Sequence, residues 1–224
     1  MTWARMSYNE ARKQMQAGDV IAFSGKSQFS EIIKWATRAA VSHVGVILQS
    51  KVLIEDNTQE GFLNQIIEST TLNGFSGVTI NRLSDRVKAY SGELWWLPLS
   101  EQIRSKMNVK AFYDFLLCQQ GKPYDMPQAV KSAIDTLDCV PIAEKATHND
   151  EDFSRFFCSE LVAAGLEISG ALAPLNASEV TPVDLCMFNI YQSTYYQISG
   201  DDNKAIRGYN SLAPDGWGDP NSSV

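Results

Sequence analysis

Ser42-His43-Val44-Gly45-Val46-Ile47, near the front of the chain, reads as a strand that opens on a histidine. Far downstream, Phe157-Cys158-Ser159-Glu160-Leu161-Val162 reads as the opening of an amphipathic helix with a cysteine on its first turn. A strand interior favours β-branched and aromatic residues, and Gly45 offers it no side chain to pack. Gly45 therefore predicts that another group approaches the sheet at this point, and the Cys158 helix is the expected group.

After Cys158, the residues Leu161, Val162, Leu166 and Ile168 recur at roughly helical spacing, which predicts one buried helix face and a rigidly held first turn. A cysteine there lies beside unpaired backbone N–H groups and the positive end of the helix dipole, both of which favour thiolate. The plainer alternative is a small buried hydrophobe, the expectation for Cys118, Cys139 and Cys186. For His43 the plainer alternative is a half-buried ring satisfied by a backbone carbonyl. A cysteine–histidine pair also needs a polar residue to hold the imidazole in the right tautomer. Glu55 and Glu68 both follow His43 on expected strands; Glu68, next to the apolar pair Ile66-Ile67, is preferred, and Glu55 stays open.

Working outward, residues 7–16 have helical character, and Val20-Ile21-Ala22-Phe23 is a strand-like apolar run. A helix is expected over 30–37, then strands over 52–54, 65–70, 77–80 and 93–99, with a short helix over 83–90. Residues 106–119 predict a helix in which Val109, Phe112, Phe115 and Leu116 share a face and Gly121 is the stop. Residues 174–182 are expected to be loop and 190–198 a final strand. The organisation expected is one domain over 1–198, with a charged insertion or lid at about 129–152 and an irregular tail over 199–224.

The formal net charge of −7, from 19 basic and 26 acidic residues, argues against a nucleic-acid partner. Residues 1–18 have no apolar core of about 7–15 residues such as a signal peptide carries, and no run approaches the roughly 18 apolar residues of a membrane span. The expectation is a soluble, cytoplasmic protein. Four cysteines without CxxC spacing and two histidines suggest neither a zinc knuckle nor a redox pair, so no metal and no cofactor is expected.

Gly18-Asp19-Val20-Ile21, Ser42-His43-Val44-Gly45-Val46-Ile47, Ile67-Glu68-Ser69, Gly121-Lys122-Pro123-Tyr124-Asp125 and Cys158-Ser159-Glu160-Leu161-Val162 occur in the order seen in permuted NlpC-like papain-fold cysteine hydrolases. The chain resembles their YiiX/YebB-like branch, related to the lecithin retinol acyltransferase group. That resemblance implies an α+β, circularly permuted papain-like (NlpC-type) fold with an antiparallel sheet packed against helices. It implies that Cys158 is the nucleophile, His43 the base and then the acid, and Glu68 the orienting group. Tyr124, Asp125 and Ser159 are the expected substrate contacts. The implied activity is that of an amidase- or peptidase-type hydrolase on a peptide, a cell-wall peptide or a lipid. A lipid acyl hydrolase or acyltransferase, and a non-catalytic assembly or binding protein on the same fold, stand as alternatives. For a lipid substrate, Phe156, Phe157, Trp95 and Trp96 are the residues that would line an acyl groove.

Overall fold

Along Ile21-Ala22-Phe23, successive side chains go to opposite sides of a sheet, and every one of them is buried. A strand of this kind needs cover on both faces, and the computed structural model provides it. The structure describes residues 2–25, 40–53, 62–72, 74–123 and 157–218. Its elements run β1 (Thr2–Arg5), α1 (Tyr8–Ala11), β2 (Val20–Ser24), β3 (His43–Leu53), β4 (Phe62–Leu72), β5 (Phe75–Arg82), α2 (Leu83–Ala89) and β6 (Glu93–Leu97). They continue through α3 (Glu101–Arg104), α4 (Val109–Gln119), α5 (Cys158–Ile168), a 3-10 helix (Ala177–Glu179), α6 (Pro182–Met187) and β7 (Thr194–Ser199).

Among the described residues, seven strands form one mixed sheet in the order β1-β7-β6-β2-β3-β4-β5. The β1–β7 pair is parallel, and the remaining pairs are antiparallel. Strand alternation sorts the core into two layers. Val20, Ala22, Val44, Val46, Leu48, Ile67, Trp95 and Leu97 face the larger one, together with Phe112 and Leu116 of α4, the buried apolar residues of α5, and Leu185 and Cys186 of α6. Ile21, Phe23, Ile47, Ile66, Leu94 and Trp96 face the smaller one, covered by Ala11 and Met15 and by Leu83 of α2.

The Cys158 helix is buried on every side from Cys158 to Leu166, so the expected single apolar face is replaced by a central helix, and its expected stripe member Ile168 is exposed. The helix packs against β3 and β4 on one side and α4 on the other. Gly165 lets α4 come close, since a Cβ there would stand 3.0 Å from Leu116 Cδ2.

Several expected boundaries move. The first helix is the four-residue α1, closed at its start by a reciprocal Ser7–Glu10 cap. The strand expected over 52–54 is, for Val52 and Leu53, the far end of β3, which reaches them through register shifts around Gln49. The expected 106–119 helix begins at Val109 because Asn108 caps it, and Val109 itself is exposed. A 3-10 turn occupies part of the expected loop 174–182, and α6 follows with Thr181 as cap and Pro182 in its first turn. The last strand starts only at Thr194. Residues 199–218 are irregular but packed, with Ile206 and Tyr209 buried and Trp217 against Phe188. The expected helix over 30–37, the insertion at 129–152, and Glu55, Tyr124, Asp125, Cys139, His148 and Phe156 lie outside the described residues. Among the described residues no helix is long and apolar enough to cross a membrane.

Candidate active site

Antiparallel register brings the two halves of the site's polar core together. Val46 pairs with Ile67, so Gly45 stands opposite Glu68 and His43 lies diagonally from it on the same face. His43 Nε2 meets Glu68 Oε2 at 2.9 Å. A Cβ on Gly45 would lie 2.8 Å from Ile66 Cδ1 and 3.1 Å from Glu68 Cβ. Gly45 thus makes room for the side chains of β4, and the expected approach of the Cys158 helix is not what crowds it.

Glu68 is completely buried, and four hydrogen bonds satisfy its carboxylate. Besides His43, Arg86 reaches it from α2, Nε to Oε1 at 2.5 Å and Nη2 to Oε2 at 3.0 Å. Asn81 Nδ2 donates to Oε1 at 3.3 Å. Burial acts to raise the Glu68 carboxyl, but the bond and charge of His43, joined by those of Arg86, outweigh it and hold the group below its ordinary value. Arg86 in turn lies over the rings of Phe23 and Tyr90, at 5.4 and 5.8 Å, and Phe23 packs on His43 with ring centres 5.0 Å apart.

Cys158 is the first residue of α5, buried in the larger layer, on the opposite side of the sheet from Glu68. His43 is the first residue of β3, so its ring stands at the strand's end, close enough to Cys158 for the sulfur's charge to act on the imidazole. With Nε2 on Glu68, Nδ1 is the nitrogen left for sulfur. Burial works to lower the His43 pKa, yet the charge of Cys158 and the bond and charge of Glu68 push it up to about 9. The imidazolium is therefore the favoured form at neutral pH.

The surrounding residues of the cysteine string have structural duties. Glu160 is buried, and its Oε2 accepts from the Phe157 backbone N–H at 3.1 Å, closing the start of α5. Ser159, expected to touch substrate, is fully buried and donates its hydroxyl to the Val180 carbonyl at 2.5 Å. Its side chain ties α5 to the segment before α6. Of the residues expected to line an acyl groove, Trp95 and Trp96 are neighbours in a strand and point to opposite layers. Trp95 Nε1 donates to the Lys204 carbonyl and Trp96 Nε1 to Asp19 Oδ2.

Asp19 was legible only as part of a string, and the structure makes it a buried junction. It accepts from the backbone N–H of Gln16 and of Leu99, from Trp96 and from Arg104. Arg86 and Asn81 were missed in the sequence; the only signal for Arg86 was a cation placed shortly after the strand following Glu68. Among the described residues, no group of three or more His, Cys, Asp or Glu side chains is arranged to hold a metal.

This is a mixed α+β protein in which His43, hydrogen-bonded to buried Glu68, and Cys158 come near one another at the junction of a sheet end and a helix start. No protein-family model matches the chain, and no curated protein sequence does. Among solved structures, the chain is similar to the metalloprotein YiiX, DUF1105, from Escherichia coli O157:H7. The two are 19% identical over 70% of this chain and 67% of that one, with a TM-score of 0.44.

Proposed function

We propose that the chain is a cysteine hydrolase of the permuted papain-like class, acting on an amide or ester bond through an acyl-enzyme. What supports this is His43 hydrogen-bonded to the buried Glu68 carboxylate and placed near enough to Cys158, at the start of α5, to feel its charge. The Cys158 thiolate attacks the carbonyl carbon, and the bond to the leaving amine or alcohol breaks as His43 gives that group its proton. Water then attacks the thioester and passes a proton back to His43. The carbon–sulfur bond breaks, the acid product leaves, and the thiolate–imidazolium pair is restored. Backbone N–H groups at the start of α5, that of Cys158 included, are the donors for the developing oxyanion. Glu68 holds the ring so that Nδ1 faces sulfur, and Arg86 and Asn81 hold Glu68.

The test is labelling by a thiol-directed alkylating or acylating probe at neutral pH. Cys118 is an exposed free thiol, so the measurement belongs in a C118S/C139S background. Rapid labelling that Cys158→Ala abolishes while the fold is retained is the expected result. Equal labelling of the two proteins would sink the assignment.

A further inference from the structure

We propose that Arg86 is a positioning residue of this site, keeping Glu68 ionised and aimed at His43 at the moment His43 gives up its proton. The inference rests on the chemistry proposed above. When His43 is protonated, Glu68 has two cationic partners; once His43 has passed its proton to the leaving group, one remains, and it is Arg86. A fully buried carboxylate without a countercharge either takes a proton itself or holds the imidazolium too tightly to release it. Arg86 removes that dilemma through a fixed two-point contact, one nitrogen on each oxygen.

Its placement is built rather than incidental. Arg86 comes from α2, which packs on β4 and β5, and it is only 7% exposed. Phe23 and Tyr90 hold the guanidinium plane, and Phe23 also holds the ring of His43, so the cation and the base are registered on one aromatic side chain. Among the described residues, the charged groups that act on His43 are Cys158 from α5 and Glu68 from β4, with Arg86 from α2 on the far side of that carboxylate. Tyr90, beyond α2, has its phenol pushed up by burial despite Arg86, so it adds no charge near neutral pH. Glu93 beside it is paired with Lys204.

The sign follows from these neighbours. Arg86 is a like charge to the imidazolium and a competitor for the same carboxylate, so its removal leaves the imidazolium as the sole cationic partner of Glu68. The proton on His43 is then held more tightly. The chain has two histidines, so His148→Gln leaves one imidazole to follow by NMR. In that background R86M should raise the titration of His43 by about one unit or more, a tenfold tighter proton. R86K keeps the charge, so His43 should titrate within about half a unit of the parent. Lysine cannot reproduce the two-point contact, and alkylation of Cys158 by iodoacetamide at pH 7 should slow at least threefold in R86K.

A residue serving only the fold would lower the melting temperature without moving the His43 titration. An unmoved titration in folded R86M, or parental alkylation in R86K, overturns the proposal; a raised titration reports the imidazolium held too tightly and a lowered one reports Glu68 taking the proton itself, the two consequences of losing its countercharge. If R86M does not fold, the R86K alkylation rate decides. The NMR titration needs no turnover, so this outcome is separate from the Cys158→Ala labelling that tests the reaction itself.

Discussion

Gly45 stands directly across the β3–β4 ladder from Glu68, and the space a side chain would take at Gly45 is filled by Ile66 and by Glu68 itself. The missing side chain on one strand is the room in which the carboxylate on the next reaches His43.

Gly45→Ala therefore tests whether the glycine serves the site. The added methyl presses on the flexible end of Ile66 and on the Cβ of Glu68, and overpacking of this kind costs about 1–3 kcal/mol. A lower urea midpoint together with slower alkylation of Cys158 is expected. Loss of stability with alkylation unchanged would mean that Glu68 keeps its aim without the glycine.

Glu68→Gln retains the shape but not the charge. It removes the acceptor that stabilises the imidazolium and should lower turnover of an amide or ester substrate by about 10²- to 10⁴-fold. It also strands the buried Arg86 cation, which should cost about 3–5 kcal/mol in chemical denaturation. Near-parental turnover would remove Glu68 from the reaction.

The pH dependence has a defined sign. His43 is raised from 6.5 to about 9, so the stabilisation of its charged form is complete below about pH 6.5 and is lost as pH rises through about 9. Turnover of an amide, which needs the His43 proton for its leaving group, should fall above pH 9, and thermal stability should decline between pH 6.5 and 9. A pH–rate profile and melts in the same buffers check both; a falling limb centred near 6.5 would contradict the cysteine–histidine contact.

Thiol reactivity should separate the cysteines. Cys118 is exposed and should react more slowly than Cys158 at pH 7. Cys186 is fully buried, and burial, with the charges of Asp184 and Cys158, pushes its thiol far up, so it should stay unmodified until the protein unfolds. Mass mapping after timed alkylation gives the order, and early modification of Cys186 would refute it.

Away from the site, Asp19 is expected to matter for the fold alone. Asp19→Ala leaves buried donors from Gln16, Leu99, Trp96 and Arg104 without their acceptor and should cost about 3–5 kcal/mol, with Asp19→Asn losing less. Urea denaturation measures the cost, and alkylation of Cys158 in the folded protein should be unchanged.

Short-range chemistry was readable in the chain itself. His43 at a strand start, Cys158 at a helix start and Glu68 beside Ile66-Ile67 were legible because period, caps and apolar runs are local properties of neighbouring residues. Helix starts at Asn108 and Thr181 are governed by equally local caps, yet only tertiary structure showed how little of residues 7–16 stays helical and that α5 is buried all round. Strand pairing was beyond local reading. Register put Glu68 rather than another carboxylate diagonal to His43, sent Trp95 and Trp96 to opposite layers, and joined Thr2–Arg5 to the last strand. The partners of Glu68 were equally hidden, because Arg86 and Asn81 reach it only through packing of α2 and β5 on β4. Local features of the chain singled out His43, Cys158 and Glu68 as candidates; the tertiary structure decided which groups meet, since a hydrogen bond depends on distance in space and the chain specifies that only when the sheet has closed its register.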